Sequence, residues 1–144
     1  MKRVTFDPRK LTQALKRKLQ KTINSKPTMR TRTCCRIWLG RSLKNGKYPT
    51  MRLGQDICKR LGIKDRAFTV GSIVASLKMN KPLYKDAKSY RTSHLCHDTR
   101  CIAPDHLTLE NMKTNITRQG CNKAGRCSSK RHVGMKCLRR TRGH

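Results

Sequence analysis

The apolar positions near the start of the chain repeat with the period of a helix. An apolar residue recurs every four positions, which places the set on one helical face: Leu11, Leu15, Leu19 and Ile23. Asp7 followed by Pro8 is typical of a helix N-cap and first helical position. We therefore predict an amphipathic helix over about residues 8–24, with basic side chains on its other face.

Further along, the pattern changes to that of strands. Residues 35–39 and 48–53 are rich in apolar and β-branched side chains, and Lys44, Asn45 and Gly46 between them are typical of a turn. We therefore predict a β-hairpin over residues 32–53.

Two more helical segments follow the hairpin. Residues 55–61 form a short element that ends at Gly62, and residues 66–79 carry apolar positions at helical spacing, with Asp65 as a candidate cap. Together with the hairpin, these segments predict a small α+β protein.

Composition limits how such a fold can be stabilised. The chain has 144 residues, of which only 4% are aromatic, so it cannot build a large apolar core. Small domains compensate with disulfides, metals or partners. No run approaches the ~20 apolar residues of a membrane span, and the first residues lack a signal-peptide pattern. We expect an intracellular protein without a membrane partner, whose compartment (nucleus, organelle or host cytoplasm) stays open.

Charge indicates the class of partner. The chain carries 36 Lys+Arg against 7 Asp+Glu, a net charge of +29, and the excess is spread over its whole length. Charge of one sign at this density is neutralised most simply by phosphates. The sequence therefore predicts a nucleic-acid partner, with DNA favoured and RNA still open. Candidate contact residues lie on or near the predicted hairpin: Arg30, Arg32, Arg36, Arg41 and Lys44.

Cysteines and histidines cluster with the spacing of metal ligands. Cys96, Cys101 and His106 supply three ligands, and a closed structural zinc site needs four. The fourth must come from elsewhere, and Cys34, Cys35 and Cys58 are all candidates. A second cluster supplies four ligands by itself: Cys121, Cys127, His132 and Cys137. The sequence thus predicts two structural Zn²⁺ ions.

Two polar residues near the first cluster are candidates for catalytic roles. His94 precedes Cys96 by two positions, and a histidine held beside a structural zinc can act as a general base. Asn115 offers an amide oxygen of the kind that binds Mg²⁺. Taken alone, the spacing also fits an ordinary loop histidine and a surface asparagine.

The segment from Ser93 to Leu107 resembles a known motif. Its string, Ser-His-Leu-Cys-His-Asp-Thr-Arg-Cys-Ile-Ala-Pro-Asp-His-Leu, is similar to the His-Cys box of homing endonucleases, which belong to the ββα-metal (His-Me finger, HNH-like) nucleases. Upstream, Cys-Arg-Ile-Trp-Leu-Gly from Cys35, followed by Tyr48, resembles the strand pair of related HNH proteins. The resemblance covers roughly residues 34–137.

This resemblance implies a role for individual residues. Cys35 would complete the first zinc site, and the second cluster would hold the second zinc. His94 would activate water, Asn115 would bind one catalytic Mg²⁺, and Arg52 would bind the scissile phosphate, with Arg66 as the alternative. The implied fold is a zinc-stabilised ββα-metal nuclease domain.

The resemblance also suggests how the chain is divided. We predict a basic N-terminal helix and linker over residues 1–33, a nuclease core over 34–116, and a basic segment with the second zinc site over 117–144. The family forms homodimers by exchanging an extended C-terminal tail. Only seven residues follow Cys137 here, which argues against that exchange and leaves a homodimer as an open expectation.

Two functions follow as hypotheses. The first is a Mg²⁺-dependent, site-specific DNA endonuclease of the homing or phage-like type. The alternative is a nuclease-derived protein that binds nucleic acid without cutting it, for example in a ribosome or a packaged genome. The presence of both His94 and Asn115 favours the enzyme, whereas the high charge favours the binding protein.

Overall fold

The computed structural model describes residues 4–43, 47–84, 91–124 and 137–138. The predicted α+β class is confirmed, since helices alternate with short antiparallel strands in these ranges. The helices are α1 (Gln13–Ser25), α2 (Gln55–Leu61), α3 (Val70–Met79) and α4 (Met112–Ala124). The strands are β1 (Val4–Phe6), β2 (Thr28–Arg30), β3 (Arg36–Trp38), β4 (Ser42–Leu43), β5 (Tyr48–Arg52), β6 (Ala67–Thr69), β7 (Leu83–Tyr84), β8 (Arg91–His94) and β9 (Leu107–Glu110).

The N-terminal helix begins later than the apolar pattern predicts. Asp7 caps only a short 3₁₀ turn, accepting a hydrogen bond from the backbone N–H of Arg9 at 3.0 Å. The extended backbone of Leu11 (φ −86°, ψ 141°) then interrupts the helical path. α1 starts at Gln13 because Thr12 provides a second cap, accepting from the backbone N–H of Leu15 at 3.2 Å.

The predicted hairpin exists, but with a different first strand. β5 pairs with β4, with Leu43 opposite Tyr48, so the connecting residues 44–46 lie outside the described ranges. Residues 35–39 were predicted to pair with β5, and this is wrong: β3 pairs with β2, with Trp38 opposite Thr28. The chain turns away after β3, and the Trp38 indole N–H donates to the carbonyl of Arg41 at 3.0 Å.

The next two helices differ in how well they were predicted. α2 ends at Gly62, whose φ of 66° is the left-handed conformation that glycine adopts readily. α3 begins at Val70 rather than near residue 66, so Asp65 is not its cap. The preceding residues form β6, which pairs with β5 and places Phe68 opposite Met51.

α3 is the central element of the fold. It packs against β5, β6, β8 and β9 and buries Val70, Ile73 and Val74 in the main apolar core. β8 and β9 form an antiparallel pair in which His94 lies opposite Leu107. Residues 95–106 connect these strands, and α4 follows directly, which gives the ββα arrangement that the resemblance implies.

In the part of the chain described, no helix is long and apolar enough to cross a membrane.

Candidate active site and zinc centre

Four metal-ligating side chains meet beside the β8–β9 pair. The ligand atoms of Cys35, Cys96, Cys101 and His106 all lie within 4.8 Å of one another. His106 Nδ1 is 3.5 Å from the sulfur of Cys35 and 3.4 Å from that of Cys101. Tetrahedral zinc, with bonds of about 2.3 Å to sulfur and about 2.0 Å to nitrogen, separates such atoms by about 3.5 Å. Three thiols and one imidazole at this spacing fit a closed zinc site.

The electrostatics of the cluster also suit a metal. Burial raises the pKa of Cys35, while a hydrogen bond from the Cys96 thiol lowers the pKa of Cys101 to about 5. That same contact raises the pKa of Cys96. Cys101 is therefore the thiol that most readily becomes a thiolate. Zinc binding would stabilise the negative charge of the thiolates and release the remaining thiol protons.

The tertiary fold selects Cys35 as the fourth ligand. β3 runs beside the loop between β8 and β9, where Ile37 forms a β-bridge with Cys101 and the N–H of Ile102 donates to the carbonyl of Arg36 at 2.8 Å. Cys34 is exposed, and Cys58 is buried in the main core, away from the cluster.

The second predicted zinc cluster is only partly described. Cys121 on α4 and Cys137 are buried, and the guanidinium of Arg118 contacts the sulfur of Cys137 at 3.4 Å. Cys127 and His132 lie outside the described residues, so the second zinc stays a prediction.

A cleft of about 500 Å³ opens next to the zinc centre and brings His94 and Asn115 together. Its walls come from the start of β5, the first turn of α3, β8, the zinc loop and α4. Arg91, His94, His97 and Arg118 all line it, and none of the described residues that line it is acidic. Because Arg91 is exposed and no acidic side chain opposes it among these residues, the surface suits an anionic ligand.

His94 ends β8 and is held from two sides. Its ring forms a hydrogen bond with the backbone of Cys101, which ties it to the zinc loop. Across the cleft, Gly71 lies so close that a Cβ there would be 3.4 Å from His94 Nε2. Burial lowers the pKa of His94 to about 4, the carboxylate of Asp98 opposing this only in part. The imidazole is therefore neutral at pH 7 and can accept a proton.

Asn115 lies in the first turns of α4 and reaches back to β8. Its amide nitrogen donates to the hydroxyl of Ser93 at 2.8 Å and to the carbonyl of Thr92 at 3.4 Å. Both contacts engage the nitrogen, and within the described residues the amide oxygen has no hydrogen-bond partner.

Arg52 is not part of this cleft. The cleft borders Tyr48 and Pro49 at one end of β5, whereas Arg52 ends the strand, about 13 Å further along. Arg52 instead borders another surface depression together with Arg41, Lys64 and the alternative candidate Arg66. The structure therefore does not bring either arginine together with His94 and Asn115.

The predicted nucleic-acid contacts are spread over the surface around β2, β3 and β4. Arg30, Arg32 and Arg41 lie at the surface, and Arg30 lies opposite Arg36 in the β2–β3 pair. Arg36 is partly used within the fold, since it donates to Asn24 at 3.1 Å and to Thr28 at 3.3 Å. Lys44 lies outside the described residues.

Sequence reasoning missed Arg91, the exposed arginine that lines the cleft with His94 and Asn115. It opens β8, three residues before His94. In a chain with 36 basic residues, no local pattern distinguishes it from the others.

Comparison with known protein families shows to which family the chain belongs. Residues 41–142 match the family model described as the zinc-binding loop region of homing endonuclease, and this is more than half of the chain. The chain belongs to this family. The homing-endonuclease match contains His94, Asn115 and three ligands of the first zinc, while Cys35 precedes it. No curated protein and no solved structure matches the chain significantly.

Membership of the homing-endonuclease family confirms the resemblance to the His-Cys box and indicates a zinc-containing nuclease fold that binds DNA. The cysteine–histidine cluster agrees with the family's zinc-binding loop.

Proposed function

We propose that this protein is a Mg²⁺-dependent, site-specific DNA endonuclease with His94 as general base and Asn115 as the ligand of the metal ion. The observation that carries the proposal is the meeting of these two side chains in one cleft, whose described lining residues include no acidic side chain, beside the zinc centre.

The position of His94 supports its role. The hydrogen bond to the backbone of Cys101 orients the ring, and burial keeps the imidazole neutral, with a pKa of about 4. A neutral ring nitrogen facing the cleft takes a proton from water, and the resulting hydroxide attacks the phosphorus of the scissile phosphodiester. The zinc centre fixes the strand and loop that hold the ring.

The lining of the cleft supports a phosphate substrate. Arg91 supplies a guanidinium, and the first turn of α3 contributes Thr69, Gly71 and Ser72, so a helix N-terminus adds positive potential. When bound, Mg²⁺ would neutralise charge developing on the phosphate and on the leaving 3′ oxygen. Asn115 offers only a neutral oxygen, so we expect the ion to bind together with the DNA phosphate.

Plasmid cleavage tests the proposal. Purified protein is incubated in Mg²⁺ with supercoiled plasmids that carry a library of candidate targets, with EDTA as a control. We expect discrete nicked or linear products that disappear with EDTA and fall by at least about 100-fold in His94→Asn, the scale of general-base catalysis.

His97→Asn is the matched control. His97 lines the same cleft, and asparagine tolerates its left-handed backbone, where φ is 61°. We expect this variant to retain cleavage. Loss of cleavage in His97→Asn alone would assign the base to His97. Tight binding without cleavage of any target would instead support the non-catalytic nucleic-acid-binding protein.

A further inference from the structure

A chain of hydrogen bonds runs along the wall of the cleft, from Asn115 to Arg118. It starts at the Asn115 amide nitrogen, which donates to Ser93 Oγ at 2.8 Å. Ser93, only 2% exposed, donates in turn to the carboxylate of Glu110 at 2.6 Å. Glu110 is held by Arg118, which is also 2% exposed and donates through Nε at 2.7 Å and through a second guanidinium nitrogen.

The chemistry of these groups gives the chain one direction. A guanidinium only donates and an ionised carboxylate only accepts, so the Arg118–Glu110 pair obliges Ser93 to give its single proton to Glu110. The Ser93 oxygen can then only accept from Asn115. The amide nitrogen of Asn115 therefore turns towards β8.

A second contact demands the same orientation. The amide nitrogen also lies 3.4 Å from the carbonyl of Thr92, and a carbonyl can only accept a hydrogen bond. A flipped amide would place its oxygen against this carbonyl and against the Ser93 lone pairs. The orientation of Asn115 is thus set twice, by a backbone group and by the chain of hydrogen bonds.

We propose that Ser93 and Glu110, held by Arg118, are positioning residues that turn the amide oxygen of Asn115 towards the cleft, where a divalent cation binds. The proposal rests on the proposed function, because that function makes Asn115 a metal ligand. In this role the three residues act through Asn115. Their contribution is to ensure that the donor end of the amide never faces the cation.

Ser93→Ala tests this role. The substitution removes the hydroxyl that accepts from the Asn115 amide nitrogen and leaves the Arg118–Glu110 pair in place. In ¹⁵N NMR spectra, we expect the side-chain NH₂ signals of Asn115 to lose their protection from solvent exchange. With a short mixed-sequence DNA duplex bound, we expect the Mn²⁺ dissociation constant from electron paramagnetic resonance to rise about 10-fold.

Thr108→Val is the matched control. Thr108 lies directly opposite Ser93 in the β8–β9 pair and is also buried, but its hydroxyl contacts the sulfur of Met79. It should leave the Asn115 signals and the Mn²⁺ affinity unchanged. An equal loss of Mn²⁺ affinity in this control would overturn the proposal, because the loss of any buried hydroxyl from this strand pair would then weaken Mn²⁺ binding.

Asn115→Asp provides the second variant. A carboxylate presents an oxygen in either orientation, so adding Ser93→Ala to this variant should not weaken Mn²⁺ binding further. A further loss of about 10-fold in the double variant, or unchanged Asn115 signals in Ser93→Ala alone, would contradict the positioning role. If Asn115→Ala leaves Mn²⁺ affinity unchanged, the proposed function fails at its metal ligand, whereas the NMR signals still decide whether Ser93 orients the amide.

Discussion

Gly71, the second residue of α3, shows how one missing side chain shapes the cleft. A Cβ at this position would contact His94 Nε2 at 3.4 Å and Leu107 at 3.7 Å. Glycine in a helix costs about 1 kcal/mol relative to alanine. The chain therefore carries a helix-weakening residue at the place where, in the proposed mechanism, the ring of His94 needs access from the cleft.

We predict that Gly71→Ala separates stability from activity. The methyl group fits at van der Waals distance, so the free energy of unfolding, measured by urea denaturation, should stay unchanged or rise by up to about 1 kcal/mol. Plasmid cleavage at saturating Mg²⁺ should fall, because the methyl group covers Nε2. Unchanged cleavage by the folded variant would show that His94 does not act through this nitrogen.

The ββα unit depends on a link to a distant strand. Residues 95–106 form a long connection between β8 and β9. Cys35, which directly precedes β3, adds the fourth ligand to the three in this connection. Lys78 of α3 adds hydrogen bonds to the carbonyls of Pro104 and Leu107, at 2.8 and 3.1 Å. These contacts hold the loop and β9, the partner of the strand that carries His94, and a zinc ion bound by the four ligands would add to them.

Neighbouring cysteines allow a sharp test of this link. We predict that Cys35→Ser lowers the zinc content by about one equivalent per chain and lowers the melting temperature, because four ligands are needed for a closed site. Cys34→Ser changes an exposed thiol one residue away, and we expect it to leave the zinc content and the melting temperature unchanged. Zinc content is measured by mass spectrometry of the metal. Loss of zinc in Cys34→Ser alone would move the fourth ligand to Cys34.

Charge acts at the scale of the whole molecule. The net charge is +29, and four of the seven acidic residues are paired with basic side chains in the described ranges: Asp7 with Arg9, Asp56 with Lys18, Asp98 with Arg100 and Glu110 with Arg118. The remaining basic surface suits a nucleic-acid partner. We therefore expect association with DNA to be strong and salt-dependent, and in the proposed function the cleft is where cleavage occurs.

Two arginines should separate binding from cleavage. Arg91 lines the cleft, whereas Arg52 borders the depression beside β5 and β6. We predict that Arg91→Ala lowers the cleavage rate at saturating protein. Arg52→Ala should weaken DNA binding and reduce the salt slope by about 1 while leaving that rate unchanged. A lower rate at saturation in Arg52→Ala would instead restore the predicted role of Arg52 at the scissile phosphate.

Short-range patterns in the sequence determined much of the candidate site. Cys96, Cys101 and His106 lie within one loop, so their spacing alone indicated metal ligands, whereas the resemblance to the His-Cys box was needed to assign His94 and Asn115. The C-terminus of α2 was equally predictable, because a glycine with positive φ ends the helix wherever the rest of the chain lies.

Only the tertiary structure decided which distant segments meet. The choice of Cys35 over Cys34 and Cys58, the pairing of β3 with β2, and the position of Arg91 rather than Arg52 in the cleft all depend on packing between segments far apart in sequence. So does the direction of the Asn115 amide, which is set by groups on β8, β9 and α4. Hydrophobic period and ligand spacing report local geometry, whereas strand partners and buried hydrogen bonds are selected by the assembled core.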